Sequence, residues 1–215
     1  MKQSKIKEID PHFSESSYFV SRDLLKNYDP FEMSEKSRCS FDQESGTFKI
    51  EVLGENYIVH YPSGEVGNVD GEDFDNYSVK IIILRYLMNA KGKENEDELI
   101  SFKEFPDGPL YYSNFYKRCI QVFANIGNEM PDEIKKYMNA INGIPLGKGD
   151  LSWQFTVMPG VTAAGILWFG DDEFEAEAQI LFDKSLTKVF NIKDLAILGD
   201  VLIISLKTFT FSLEK

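Results

Sequence analysis

Cysteine is scarce in this 215-residue chain: Cys39 and Cys119 lie far apart and outside any C-x-x-C spacing. That excludes a disulfide framework and a cysteine-held cluster, and it fits reduced thiols in a cytosol. Histidine is just as scarce, with His12 and His60 alone. A zinc centre takes three or four nitrogen or sulfur ligands, and these few residues stand at unrelated spacings. Long apolar runs are missing too. The longest, residues 81–84 and 163–169, fall far short of the roughly 20 residues that span a bilayer. Residues 1–8 have no apolar core of the signal-peptide kind, so a cytoplasmic location is expected.

Positive charge is the third shortage. Lys and Arg number 23 against 35 Asp and Glu, for a net charge of −12, and neither basic residue occurs between Gly149 and Lys184. Nucleic-acid binding relies on basic groups that neutralise phosphates, and no basic stripe is present. The same acidity disfavours anionic membrane surfaces and is compatible with high solubility or a basic partner. Nucleophile and nucleotide signatures are absent as well. There is no G-x-S-x-G, and Gly143-Ile144-Pro145-Leu146-Gly147-Lys148-Gly149 departs from the phosphate-loop pattern because glycine follows the lysine.

What is present reads as an α+β protein. Hydrophobic residues make up 43% and charged residues 27%, an ordinary globular balance, and 17 Phe with 10 Tyr predict an aromatic core. Residues 12–40 read as two short helices, the second opened by Asp29-Pro30-Phe31-Glu32. Thr47-Phe48-Lys49-Ile50-Glu51-Val52 alternates with period two, and Tyr57 to Tyr61 continues as its hairpin partner. An acidic, glycine-rich connection follows. Val79, Ile82, Ile83, Tyr86, Leu87 and Ala90 make one apolar stripe on a helix over 77–90, placed centrally by its wide apolar face. A short strand is expected over 99–105, a second long helix over 112–126 with Cys119 on its buried side, and a third over 131–141. Residues 142–150 are a glycine-rich crossing, a possible internal boundary in what otherwise reads as a single compact domain over 1–215.

Leu151 to Val157 and residues 161–169 form another hairpin, and Ala176, Ala178, Ile180 and Phe182 alternate with Glu175, Glu177 and Gln179 in a further strand. A helix remains the alternative there, because Asp172 and Glu175 form a cap-like pair. Residues 184–206 read as short closing helices. The architecture expected is therefore a mainly antiparallel sheet built from hairpins, drawn from 47–62 and 151–183 and packed against two or three helices.

The densest chemistry lies in Trp168-Phe169-Gly170-Asp171-Asp172-Glu173-Phe174. Clustered carboxylates repel one another, and a cation, a basic partner or water relieves the repulsion. Hard cations seek such oxygen clusters, but the EF-hand pattern is missing, and a solvated turn capped by an aspartate explains the same residues. Trp168, Asp171, Asp172, Glu173 and Phe174 are the candidate binding residues; no catalytic residue is assigned. His60 sits opposite Val59 and Tyr61 on its strand and reads as a surface residue. Cys119 reads as a structural thiol.

Several stretches occur in an order that resembles the uncharacterised domain-of-unknown-function family numbered 3786, of anaerobic bacteria and archaea. They are Leu53-Gly54-Glu55-Asn56-Tyr57, Ile83-Leu84-Arg85-Tyr86-Leu87, and Ser101-Phe102-Lys103-Glu104 followed by Tyr112 and Phe115. In the C-terminal half they are residues 168–174, Leu181-Phe182-Asp183, Asp194-Leu195-Ala196 and Gly199. The resemblance spans about residues 20–205. It implies a compact domain and the acidic turn as a family feature, and it carries no catalytic residues. An appended iron–sulfur domain in some relatives hints at anaerobic redox or corrinoid metabolism, but two cysteines cannot hold such a cluster.

Three readings follow. The first is a cytoplasmic, non-catalytic binding or accessory module whose acidic aromatic surface meets a protein partner or a small planar ligand. The second is a divalent-cation-dependent hydrolase or lyase using Asp171, Asp172, Glu173 and His60. The third is a binder of a planar tetrapyrrole or corrinoid, with His60 and His12 as its imidazoles.

Overall fold

The computed structural model describes residues 15–70, 73–92 and 96–212. Helix α1 (Glu15–Leu25) precedes α2 (Pro30–Ser37), whose start is the predicted one. Asp29 Oδ1 accepts a hydrogen bond from Glu32 N at 2.9 Å, and Pro30 supplies a preset first turn.

Period-two alternation then produces β2 (Thr47–Val52), with Phe48, Ile50 and Val52 buried and Lys49 and Glu51 exposed. The chain returns as β3 (Glu55–His60) through Leu53 and Gly54, at φ 49° and 82°. Positive φ at both positions is the hairpin turn whose twist suits paired strands. β1 (Ser40–Asp42) and β4 (Glu65–Asn68) complete a sheet of order β1-β2-β3-β4. β4 falls in the segment read from sequence as a connection. Glu65-Val66-Gly67-Asn68 has little strand propensity, and its register against β3, with Val66 opposite Val59, supplies what propensity lacks.

The central helix is α3 (Tyr77–Asn89), capped by Asn76, whose Oδ1 accepts from Val79 N at 3.2 Å. Residues 79–84 are all buried, so this helix meets neighbours on every side. Among them is Lys80, whose ammonium pairs with Asp73 and lies 4.9–5.4 Å from the ring centres of Tyr18, Phe74 and Tyr77.

β5 (Leu99–Ser101) is shorter than the strand expected over 99–105. Glu104 accepts from Ser101 N and Ser101 Oγ at 2.7 Å, and this pulls residues 102–104 into a 3₁₀ turn. The helix expected over 112–126 begins earlier, as α4 (Gly108–Phe115), because Pro109 fits the first turn of a helix. A π turn over Tyr116–Ile120 joins it to α5 (Gln121–Glu129), and α6 (Pro131–Ala140) follows as expected.

The second sheet has the order β5-β9-β8-β7-β6, with β6 (Ile144–Pro145), β7 (Leu151–Met158), β8 (Val161–Trp168) and β9 (Glu177–Asp183). Every pairing in both sheets is antiparallel, and β9 is a strand rather than the alternative helix. β8 is buried over its first seven residues. Helix α5 presses on it so closely that a Cβ on Gly165 would stand 2.7 Å from the Phe123 ring. Leu146 N donates to Ser152 O at 3.1 Å and Asp150 N to Leu167 O at 2.9 Å, so residues 142–150 lie along this sheet.

The α+β class and the antiparallel hairpins are as predicted, but the hairpins divide between two sheets. β1 and β4 take the edges of the first and β5 and β6 those of the second, leaving the hairpins no shared border. A backbone bond, Leu53 N to Val157 O at 2.8 Å, links them, and their buried side chains share one core. The closing segment also differs from expectation. After a 3₁₀ turn at Lys184–Lys188 it is one 21-residue helix, α7 (Ile192–Ser212). Asn191 Oδ1 caps its start by accepting from Lys193 N and Asp194 N, and Arg85 of α3 pairs with Asp194. Buried side chains from both sheets, α3 and α7 belong to one hydrophobic cluster. No helix among the described residues is long and apolar enough to cross a membrane.

Candidate functional site

The acidic turn, residues 169–176, joins β8 to β9. Neighbours fix its stem: Asp150 Oδ2 accepts from Phe169 N at 2.7 Å, and Asn128 Oδ1 accepts from Gly170 N at 3.0 Å. Asp171 then closes the loop on itself. Its Oδ1 accepts from Glu173 N at 2.8 Å and from Phe174 N at 2.9 Å, while its own N–H donates to Phe174 O at 2.9 Å. The two N–H donors hold the Asp171 carboxyl below the usual carboxylate range. Asp171 therefore serves the turn.

Asp172 and Glu173 are exposed beside it, and Trp168, Phe169 and Phe174 are 37%, 42% and 70% exposed. Asp171, Asp172, Glu173 and Phe174 thus share one surface loop, and Trp168 ends β8 beside it. Glu175 and Glu177 face solvent while Ile180 and Phe182 are buried, as the alternation predicts. His60 is exposed on β3, in the other sheet, and pairs in register with Thr47 and Glu65. His12 lies outside the described residues. Among those described, no group of three or more His, Cys, Asp or Glu side chains is placed to hold a metal ion.

A different feature has the size of a ligand site. A cavity of about 600 Å³ opens where the β2–β3 turn, the start of α3, the end of α6 and the last turns of α7 converge. That volume lies in the range, about 300–1,000 Å³, of small-molecule pockets. Val52, Leu53, Gly54, Glu55 and Tyr57 form one wall, and Asn76 with Val79 forms the next. Tyr137, Ala140 and Ile141 come from the end of α6, facing Val201, Ile204, Ser205, Thr208 and Phe209 from α7. Tyr137 and Phe209 have ring centres 5.4 Å apart, and Tyr57 is 5.1 Å from Phe74.

Its polar groups are few and mostly engaged. Tyr137 donates to Ser205 Oγ at 2.9 Å, Asn76 caps α3, and Thr208 donates to Ile204 O at 2.9 Å. Burial pushes the Tyr137 phenol well up against the Ser205 hydrogen bond, and the Glu55 carboxylate adds to the rise. Tyr57 is raised likewise, by burial and then by Glu55. Among the described residues no Lys, Arg, His or Cys lines the space.

Sequence reasoning missed this cavity because its walls come from four separate elements. One signal pointed to it: Leu53, Gly54, Glu55 and Tyr57 all belong to the stretch Leu53-Gly54-Glu55-Asn56-Tyr57, singled out for its resemblance to a family. The turn there is an unusual one, since Leu53 is a γ-branched residue held at positive φ. Its N–H bond to Val157 O and its burial keep it in that conformation.

The buried thiols belong to neither place. Cys39 lies under Ser37, and Cys119 in the π turn donates to Asp200 Oδ1 at 3.6 Å. Asp200 in turn accepts from Arg118 Nε and Nη2 at 3.1 and 2.6 Å, which ties α7 to the π turn.

The model of the family described as Domain of unknown function (DUF3786) matches residues 29–205. The match takes in the acidic turn and most of the cavity wall. No curated protein and no solved structure matches the chain.

Proposed function

This chain belongs to the DUF3786 family, whose description names no activity, and from that premise we propose that it is a non-catalytic binding module for a small, largely apolar molecule. The observation that carries the reading is the cavity of about 600 Å³ between the β2–β3 turn and α7, aliphatic and aromatic on most sides with few polar groups. The protein would work in the cytoplasm, where Cys39 and Cys119 stay thiols. A panel of small apolar compounds, screened by thermal shift against wild type and Ala140→Trp, tests it. Compounds that raise the melting temperature of wild type and not of the filled variant support the reading; a panel without such compounds refutes it.

The exposed aromatics of the acidic turn favour a second role, contact with a basic protein partner. Trp168, Asp171, Asp172, Glu173 and Phe174 would form that surface, with Asp171 shaping it rather than meeting the partner. A Phe174→Ser, Trp168→Ser variant should then lose a partner that wild type captures from native lysate, and equal capture by both would end this role. The planar-cofactor reading fits only the cavity, whose lining among the described residues offers neither histidine nor cysteine as a metal ligand. No arrangement among the described residues favours the hydrolase or lyase reading.

A further inference from the structure

The lining of the cavity also limits the charge of its occupant. Asn76, Thr208, Tyr137 and Ser205 spend hydrogen-bonding capacity on the protein itself. Glu55 does not: its carboxylate stands exposed on the rim with no side-chain partner among the described residues. Among the described residues no basic side chain lines the space, so a ligand carboxylate or phosphate would face Glu55 without one of them to neutralise it. The walls beyond the rim are built by Tyr57, Tyr137 and Phe209 with aliphatic Ile141, Val201 and Ile204. An ammonium entering beside Glu55 meets a carboxylate and phenol rings, both of which attract cations, while an apolar body is buried behind it.

We propose that the cavity takes an organic cation, a protonated amine on an apolar body, with the amine held at Glu55 beside Tyr57 and Tyr137. The proposal rests on the cavity being a ligand site and adds to that reading the charge of the ligand. The chain carries a second instance of the same chemistry, in which Lys80 is held by Asp73 among Tyr18, Phe74 and Tyr77. There the cation belongs to the fold.

A matched series separates charge from shape: 4-phenylbutylamine, 4-phenylbutanol and 4-phenylbutanoate, titrated calorimetrically into the full chain at neutral pH. The amine should bind about tenfold more tightly than the alcohol, and the carboxylate least of all. In Glu55→Gln the preference of amine over alcohol should shrink several-fold while the alcohol's affinity holds. Glu55 is exposed, so this variant keeps the fold. Equal affinities for amine and alcohol, or a preference untouched by Glu55→Gln, would overturn the charge assignment and leave the cavity reading standing. Absence of binding by all three compounds would overturn both.

Discussion

Cys39 and Cys119 are 3% and 0% exposed, and burial pushes the Cys39 thiol up to about 11 and the Cys119 thiol well above its ordinary value. A thiol attacks as the thiolate, so neither should react with a disulfide reagent at about pH 8 in the native protein. Both should react once the chain is denatured; fast native labelling would contradict the burial. Asp171 titrates in the opposite sense. Its folded carboxyl sits below the ordinary range, so its contribution to stability is present above about pH 4 and fades as the pH falls through the folded value. A carboxyl-carbon NMR titration should give Asp171 a lower midpoint than in a peptide of residues 168–176. Asp171→Asn keeps an acceptor for Glu173 N and Phe174 N, so the turn should persist near neutral pH while that acid-side loss disappears.

At the scale of elements, two contacts hold the architecture in register. The β2–β3 turn needs Gly54 at φ 82°, where a Cβ is unfavourable by about 1–2 kcal/mol. Gly54→Ala should cost about that much in chemical denaturation, and an unchanged midpoint would mean that the turn relaxes. Helix α7 is tied to the π turn by the Arg118–Asp200 pair, both largely buried. Asp200→Ala takes a buried carboxylate from the guanidinium and should cost about 3 kcal/mol, and a double change to apolar residues should recover much of it.

What was legible in the sequence divides along the same line. The α2 start, the stripe on α3 and the alternation of β2, β7 and β9 were readable because caps and periodicity act within a few residues. The acidic turn was readable for the same reason. β4 was not, because its strand character comes from β3 rather than from its own residues. Nor was the length of α7, whose pairs Arg85–Asp194 and Arg118–Asp200 reach across 109 and 82 residues. The cavity belongs to this second kind, since no local pattern joins Tyr57 to Tyr137 and Phe209.

For the molecule as a whole, the charge of −12 and the aromatic wealth read from composition take on separate places. Much of the acid is solvated sheet face and turn, whereas Glu55 stands at the mouth of an apolar space. The aromatics divide between a continuous core, the exposed rim of the acidic turn, and the walls of the cavity. A ligand that fills those walls should raise the melting temperature, and the rise should grow with the logarithm of its concentration once that exceeds the dissociation constant. The most direct test is an amide NMR titration of the full chain with 4-phenylbutylamine. The predicted result is shifts concentrated in residues 52–57, 137–141 and 201–209, and absent from residues 168–176. Shifts confined to the acidic turn, or none at millimolar ligand, would contradict the account.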